Sequence, residues 1–546
     1  MHFLMAVALI APSVTSTAYA VETTSQQSSE AVTSTTDSSR KQEPVITQET
    51  TDIKQEAPNQ ATSDSVKQSQ ETTAPTETTN LETSTAEKEE TSTPQKITIL
   101  GTSDVHGQLW NWSYEDDKEL PVGLSQVSTV VNQVRAQNPA GTVLIDNGDN
   151  IQGTILTDDL YNKAPLVNEK THPMITAMNV MKYDAMVLGN HEFNFGLPLI
   201  QKIQQEATFP ILSANTYNKE DGRRFVKGTT TKELDFNQDG QPDLKVGIIG
   251  LTIPHIPLWD GPRVTSLNFL PLKEEAEKAV TELKTNDQAD IIVASIHAGQ
   301  QNSDPAASAD QVIENVAGID AYILGHDHLS FTKQGAAPNG KTVPVGGPKD
   351  TGTEVVKIDL SVAKNADKWE VQEGTATIVP TTNVPADEAV KAATKEYHEK
   401  TRAFIQEEIG TATADFLPKQ EIKGIPEAQL QPTAMISLIN NVQKEVTGAQ
   451  LSGAALFKYD SKLPAGKISY ATIFDIYKYP NTLVSVPING ENLLKYLEKQ
   501  GAYYNQTQPD DLTISFNPNI RVYNYDMISG VDYKIDISKP VGERIV

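Results

Sequence analysis

Short apolar runs recur along the chain from residue 96 onward, and each is followed by glycine or polar residues. Runs of about four to eight residues that are rich in valine and isoleucine predict buried β-strands. The clearest runs are KITIL (96–100), GTVLID (141–146), YDAMVLG (183–189), FPILSA (209–214), LKVGIIG (244–250), ADIIVASI (289–296) and DAYILG (320–325).

Between several of these strands the apolar positions recur every three to four residues, which predicts amphipathic helices. Two such segments are GLSQVSTVVNQVRAQ (123–137) and LKEEAEKAVTELKTN (272–286). Strands that alternate with helices predict a layered α/β fold with much parallel sheet. In folds of this class, ligands bind beyond the carboxyl ends of the strands.

The pattern changes again after residue 385. Residues 386–413 form one long helical pattern that ends near Gly410. Residues 414–546 then alternate helix and strand patterns, which predicts a second, smaller α/β domain. Its last segment, SGVDYKIDISKPVGERIV (529–546), alternates like a strand and stops abruptly, so we expect this domain to be truncated.

The first 95 residues predict no folded domain. Residues 1–20 carry an apolar run that ends in a small-x-small site at Ala18 and Ala20, as in a signal peptide. Residues 21–95 are mostly Ser, Thr, Glu and Gln and should form a disordered spacer, because they bury too little apolar surface to offset their ordering entropy. We therefore expect a secreted or surface protein with no transmembrane segment, since no other apolar run is long enough to cross a bilayer.

The composition of the chain excludes several classes of function. The net charge of −26 excludes nonspecific binding to nucleic-acid polymers, which requires a basic face. There are no cysteines, and so disulfides, thiol nucleophiles and Cys-based zinc sites are all excluded. The hydrophobic fraction of 38% is sufficient for two folded cores.

Polar residues of metal-binding types follow five of the predicted strands. Side chains two positions apart share one side of an extended segment, so the Asp-x-His and His-x-His pairs could give two donors to one metal or one donor each to two neighbouring metals. The candidates are Asp104, His106, Asp149, Asn190, His191, His297, His326 and His328. Five of the nine histidines are among them.

The donors are nitrogen and oxygen without sulfur, which suits Mn, Zn, Fe or Mg and does not choose among them. They are too many for one tetrahedral site, whereas two metals that share a bridging Asp would use them. Two ions about 3.5–4 Å apart are the usual arrangement for phosphoester hydrolysis.

The order D-x-H, G-D-N, G-N-H-E, H-x-G, G-H-x-H resembles that of the calcineurin-like metallophosphoesterases. With its second domain, the chain resembles the 5'-nucleotidase and 2',3'-cyclic-nucleotide 2'-phosphodiesterase family over residues 96–546. The resemblance implies a four-layer β-sandwich flanked by helices over 96–385, a hinge helix over 386–413 and a nucleotide-binding domain over 414–546. It also implies two divalent metal ions and nucleotide substrates.

The resemblance assigns a role to each donor. Asp104, His106, Asp149 and His328 would hold one metal, and Asp149 would bridge to a second metal held by Asn190, His297 and His326. His191 would instead lie beside the scissile phosphate and assist the leaving oxygen. Asn194 stands where 5'-nucleotidases often carry an Asp that orients this histidine; it is either its catalytic partner or a simple turn former.

Three further positions bear on the substrate. In the family segment YKYPNTL, Tyr479 would stack on the base and Asn481 would make a polar contact, although Tyr479 could instead pack at a strand end. Phe457 and Lys458 stand where 5'-nucleotidases carry a substrate-binding arginine. Like Asn194, they favour the cyclic-nucleotide and 3'-nucleotide branch.

One other motif has a structural interpretation. Residues 235–243, DFNQDGQPD, match the first half of a calcium-binding loop, but Val246 stands where the bidentate Glu is needed. The segment predicts a polar hairpin turn.

Three functions remain at this point. The first is a 2',3'-cyclic-nucleotide 2'-phosphodiesterase with 3'-nucleotidase activity, in which activated water attacks phosphorus. The second is a 5'-nucleotidase acting on AMP, ADP or ATP. The third is a non-catalytic surface protein, which the complete donor set argues against.

Overall fold

The computed structural model describes residues 2–9, 93–163, 169–366, 368–419, 421–477 and 482–546. Several predictions fall outside these residues: the signal peptide beyond Leu9, the spacer up to residue 92, and the substrate candidates Tyr479 and Asn481.

Two six-stranded sheets form the first domain. The first sheet contains, in spatial order, the strands Lys368–Pro380, Glu354–Asn365, Gln95–Thr102, Thr142–Asp146, Ala185–Val187 and Ile211–Leu212. The second contains Phe331–Ala336, Thr342–Gly347, Ala321–Leu324, Ile291–His297, Leu244–Thr252 and Thr229–Leu234. Within each sheet the predicted strands pair in parallel, as the α/β pattern requires.

The apolar runs are nearly continuous because both faces of each strand are buried. In the strand Ile291–His297, Ile291 and Val293 pack into a core between the two sheets, whereas Ile292 and Ile296 pack against the outer helices. Side chains that alternate with a period of two thus fill two apolar layers. This confirms the four-layer sandwich.

Helices cover the outer faces of the sandwich. The predicted helices at 123–137 and 272–286 are observed as Leu124–Gln137 and Leu272–Thr285. Among the described residues, the other helical segments of this domain are Ile155–Thr157, Asp158–Asn162, Pro173–Met181, His191–Phe193, Leu197–Glu206, Ile256–Asp260, Gly261–Arg263, Pro305–Ala307 and Ala309–Asn315. Two small strand pairs, Thr216–Asn218 with Leu267–Phe269 and Trp112–Ser113 with Lys118–Glu119, complete it.

The linker helix spans Glu388–Ile405 and is shorter than predicted. The Asp387 side chain caps its start by accepting from the backbone N–H groups of Ala389 and Val390. The predicted helical tail instead forms the strand Glu408–Ala412, which pairs with Gly466–Ser469 of the second domain. Pairing across the chain here overrides local helix propensity.

The second domain has a four-stranded sheet in the order Thr482–Asn489, His2–Leu9, Leu451–Ala454 and Met527–Ser529. Its helical segments are Glu427–Gln429, Ala434–Thr447, Tyr470–Ile476, Gly490–Gly501 and Val522–Asn524. The strand His2–Leu9 belongs to the segment predicted as a signal peptide. In the structure these residues instead pair with two strands of this sheet. Cleavage after residue 20 would remove this strand, and export stays a prediction.

Two local predictions have different outcomes. Residues 529–546 were expected to form a strand, but beyond Ser529 they form turns with one isolated bridge between Ile535 and Ile545. The strand prediction there is wrong, because Pro540 and Gly542 interrupt the alternation. The hairpin prediction is confirmed: the segment 235–243 joins two antiparallel strands.

Among the described helices, none combines the length and apolarity that crossing a bilayer requires.

Candidate metal centre and active site

The predicted donors converge at the carboxyl ends of strands from both sheets. They form two groups, and within each group the ligand atoms lie within 4.8 Å of one another. The first group is Asp104, His106 and His328, and the second is Asp149, His297 and His326.

In the first group, two imidazoles point at each other. The Nε2 atoms of His106 and His328 are 3.1 Å apart, and Nε2 of His328 lies 3.3 Å from Oδ1 of Asp104. Nitrogen lone pairs and a carboxylate that converge on one point form a site for a cation.

In the second group, Nε2 of His297 lies 3.1 Å from Oδ2 of Asp149. The Asn190 side chain joins this group, since its Oδ1 lies 3.2 Å from Nε2 of His297 and 2.8 Å from Nδ1 of His326. Nδ1 of His297 donates to the carbonyl of Asn147 at 2.7 Å, which leaves Nε2 free to face the site.

The electrostatics show a site with excess negative charge. Burial lowers the pKa of His297, but the carboxylates of Asp149 and Asp104 outweigh burial and raise this pKa to about 10. Burial opposes ionisation of Asp149, yet the charge of His297 holds its pKa well below the usual value. A buried carboxylate pair that retains a proton on a neighbouring imidazole is a site where a divalent cation can replace that proton.

The backbone at the ligands is strained. Among the described residues, eleven non-glycine residues have positive φ, and five of them are ligand candidates: Asp104, His106, Asp149, His326 and His328. Left-handed backbone costs free energy at non-glycine residues and concentrates at functional sites. The expectation that D-x-H and H-x-H are extended segments is therefore wrong. Both motifs have this turn conformation, yet His326 and His328 lie in different groups, while Asp104 and His106 share one.

His191 lies at the edge of this centre. Its ring centroid is 5.2 Å from that of His106, and its backbone N–H donates to Oδ1 of Asp149 at 2.7 Å. Its Nδ1 lies 2.7 Å from Oδ1 of Asn194. The structure thus places the side chain of Asn194 in contact with the ring of His191, and whether it acts as a catalytic partner stays a prediction.

Two acidic residues of the site were missed in the sequence. Glu192 is fully buried and accepts from the backbone N–H groups of Gly189, Asp149 and Asn150 at 2.7–2.8 Å, so it joins two ligand-bearing loops. Its place in G-N-H-E was the available signal. Asp260 accepts from Nδ2 of Asn194 at 2.8 Å. Nothing in its local sequence, PLWDGPR, indicates this contact.

The two groups fit two divalent cations, because each combines one carboxylate with two imidazoles at the edge of a two-sheet sandwich. Fold and site together define a dinuclear metal-dependent hydrolase.

Comparison with known proteins specifies this class. The family model for the calcineurin-like phosphoesterase matches residues 97–330, and that for the 5'-nucleotidase C-terminal domain matches residues 408–546. The chain belongs to the calcineurin-like metallophosphoesterases that carry a 5'-nucleotidase C-terminal domain. It is a metal-dependent phosphoric ester hydrolase, and its cofactor is a pair of divalent metal ions.

Individual proteins that are similar to this chain are named as phosphoesterases as well. The trifunctional nucleotide phosphoesterase protein YfkN of Bacillus subtilis is 30% identical over 83% of this chain, which spans 33% of that protein. A 2',3'-cyclic-nucleotide 2'-phosphodiesterase/3'-nucleotidase of Haemophilus influenzae is 29% identical over 81% of this chain and 73% of its own length. The crystal structure of the calcineurin-like phosphoesterase YfkN is similar over 58% of this chain and 100% of its own, with a TM-score of 0.53 and 30% identity.

Proposed function

We propose that this protein hydrolyses phosphate esters of nucleotides as a 2',3'-cyclic-nucleotide 2'-phosphodiesterase and 3'-nucleotidase. One observation carries the proposal: two complete three-donor groups lie beside a histidine that belongs to neither. A pair of metals and an adjacent imidazole are the groups needed to clamp a phosphate and assist its leaving oxygen.

We assign the donors as follows. Asp104, His106 and His328 would hold one metal, Asn190, His297 and His326 would hold the other, and Asp149 would be the ligand that both share. When bound, the metals would supply Lewis-acid activation of water and neutralise phosphate charge. His191 is held by its backbone to Asp149 and by its side chain to Asn194, so its ring has a fixed direction beside the metals.

Two positions support the cyclic-nucleotide type. Asn194 contacts His191 at the position where 5'-nucleotidases often carry Asp. Lys458 occupies the position of their substrate arginine, but its Nζ is 2.5 Å from Asp475. A lysine also lacks the planar fork with which an arginine binds a phosphate in a bidentate manner. The relative from Haemophilus influenzae carries the same activity in its name.

The alternative is a 5'-nucleotidase that releases nucleosides from AMP, ADP or ATP. It is favoured by the match of residues 408–546 to the C-terminal domain that gives that family its name. Tyr479 and Asn481 serve nucleoside recognition in either case, as the base-stacking residue and a polar contact.

We further propose that the enzyme acts outside the cytoplasm, as a secreted or surface protein. The apolar leader at 1–20 and the Ser/Thr/Glu-rich spacer at 21–95 support this location.

A substrate panel tests the proposal. Purified protein loaded with Mn²⁺ is given 3'-AMP, 5'-AMP and 2',3'-cyclic AMP, with and without a chelator. We expect fast release from the cyclic and 3' substrates, slow release from 5'-AMP, and none after chelation. Equal rates on 5'-AMP and 2',3'-cyclic AMP would favour the 5'-nucleotidase, and release that survives chelation would refute both.

A further inference from the structure

The side chain of Asn194 lies between an imidazole and a buried carboxylate. Its Oδ1 is 2.7 Å from Nδ1 of His191, and its Nδ2 donates to Oδ2 of Asp260 at 2.8 Å. Asp260 is 2% exposed, and its other oxygen accepts from the guanidinium of Arg263 at 3.0 Å. The contacts therefore run in a line from Arg263 to His191.

The chemistry of this line decides the orientation of the amide. An ionised carboxylate only accepts hydrogen bonds, so the NH₂ group of Asn194 must face Asp260. The amide oxygen must then face His191. Because that oxygen also only accepts, Nδ1 of His191 must carry a proton, and Nε2 is the nitrogen available to the substrate.

The line also brings a carboxylate, which is paired with Arg263, to the far side of the asparagine. An amide can hold an imidazole ring but has no net charge to balance an imidazolium. Asp260 places a buried negative charge one side chain further away, and hydrogen bonds in series polarise one another in a low-dielectric interior. A two-residue unit, Asn194 with Asp260, thus stands in the place of a single aspartate.

The two residues lie in connections that follow strands of different sheets. Asn194 follows the strand Ala185–Val187 of the first sheet, and Asp260 ends the helix Ile256–Asp260, which follows the strand Leu244–Thr252 of the second. The contact joins positions 66 residues apart. Packing of the sandwich is therefore what brings Asp260 to the site.

We propose that Asp260 is a positioning residue that fixes the amide of Asn194 and, through it, the ring of His191. This inference rests on the proposed role of His191 in assisting the leaving oxygen. The side-chain contacts that the structure gives Asp260 are those with Asn194 and Arg263, and so it acts on His191 through the amide.

The test compares two substrates whose leaving groups differ in their need for a proton. In the variant Asp260→Asn, the introduced amide oxygen is taken by Arg263, because a guanidinium only donates. The introduced NH₂ group then faces position 194 and turns the Asn194 amide over, so that an NH₂ group meets Nδ1 of His191. We expect kcat on 2',3'-cyclic AMP, whose leaving group is an alkoxide, to fall about 10- to 100-fold, part of the 10²–10⁴-fold that positioned acid catalysis supplies.

Bis(4-nitrophenyl) phosphate is the comparison substrate. Its phenolate leaves with little need of a proton, so the same variant should lose less than about 3-fold on it. A merely structural role of Asp260 would slow both esters alike. Metal content should stay at the wild-type value.

The matched control swaps the two side chains. The double variant Asn194→Asp/Asp260→Asn keeps the net charge and every donor and acceptor. Arg263 donates to the introduced amide, whose NH₂ group donates to the new carboxylate at position 194, which accepts from Nδ1 of His191. We expect this swap to restore kcat on the cyclic substrate to within about 3-fold of wild type, since the acid catalysis of His191 is again oriented.

The outcomes separate this inference from the function on which it rests. A wild-type protein without metal-dependent hydrolysis of either ester would overturn both. If the wild type is active, the Asp260→Asn variant decides the role of Asp260 alone. That role would be overturned if the variant lost activity equally on both esters, or if it lost none on either. If the single variant does not fold, ¹⁵N chemical shifts of the His191 ring in wild type decide, and a neutral ring protonated at Nε2 would refute the inference.

Discussion

Oδ1 of Asn190 lies 2.8 Å from Nδ1 of His326, although 136 positions separate the two residues. Asn190 follows a strand of the first sheet and His326 follows a strand of the second. The second metal position is thus shared by both halves of the sandwich. Changes at the site should therefore show as a loss of metal, of turnover or of folding, depending on which contact they remove.

Asp149→Ala tests the proposed bridge. Removing the shared carboxylate should leave fewer than two metal ions per chain, because both donor groups lose a neighbouring charge. Elemental analysis of the purified protein measures this. The control is Asp359→Ala, a partly buried carboxylate paired with Lys96 and Lys357 away from the site, which should retain two ions. Two ions in both variants would refute bridging.

His191→Ala separates catalysis from metal binding. We expect turnover of 2',3'-cyclic AMP to fall by about 10²–10⁴-fold, because a positioned acid is lost. The metal content should remain near two, since His191 is outside both donor groups. Loss of both ions would show that His191 is a ligand.

Gly189→Ala tests the close approach of two loops. A Cβ atom at Gly189 would lie 2.2 Å from Oδ1 of Asp149, and no real structure tolerates that distance. The carboxylate must move, so both metal content and activity should fall. Gly490→Ala is the matched control, because no atom lies within 4 Å of its Cβ position. Wild-type metal content in Gly189→Ala would contradict the packing described.

Acid should destabilise the protein through His172. This buried side chain caps the helix Pro173–Met181 by accepting from the backbone N–H of Met174, and burial lowers its pKa to about 3. The unfolded chain takes up a proton below pH 6.5, whereas the folded chain does not. Stability is therefore complete above pH 6.5 and is lost as pH falls towards 3, by up to about 1.4 kcal/mol per pH unit.

Urea unfolding at pH 7, 6 and 5 measures this effect. His172→Asn is the comparison, because asparagine can cap a helix and does not titrate. The free energy of unfolding should fall more steeply in wild type than in the variant. Parallel pH dependences would exclude His172 as the cause.

Tyr479→Ala tests base stacking. Loss of a stacking ring costs about 1–3 kcal/mol per base, so KM for 2',3'-cyclic AMP should rise about 5- to 150-fold. KM for bis(4-nitrophenyl) phosphate, which has no base, should change little. An equal rise for both substrates would indicate that Tyr479 packs at a strand end.

The two-layer burial of the strands and the order of donors at their ends could be predicted from the chain alone. Strand periodicity, glycine turns and the chemistry of His and Asp are local properties, and parallel strands place their carboxyl ends at one edge. The ends of the helices Leu124–Gln137 and Leu272–Thr285 could be predicted to within one residue, because the periodicity of their apolar positions is also a local property. The linker helix was predicted too long, because the pairing of Glu408–Ala412 with Gly466–Ser469 is not local.

The side-chain pattern by itself left open how the donors divide, and only the resemblance implied that His326 and His328 serve different metals. In the tertiary structure these two residues of one short motif lie in different donor groups. The partner of Asn194 likewise depends on the packing of two sheets, which brings Asp260 across 66 positions to complete the contact. The donor residues at each strand end follow from the local sequence. Which strand ends come together is decided by the burial of the apolar faces between the sheets.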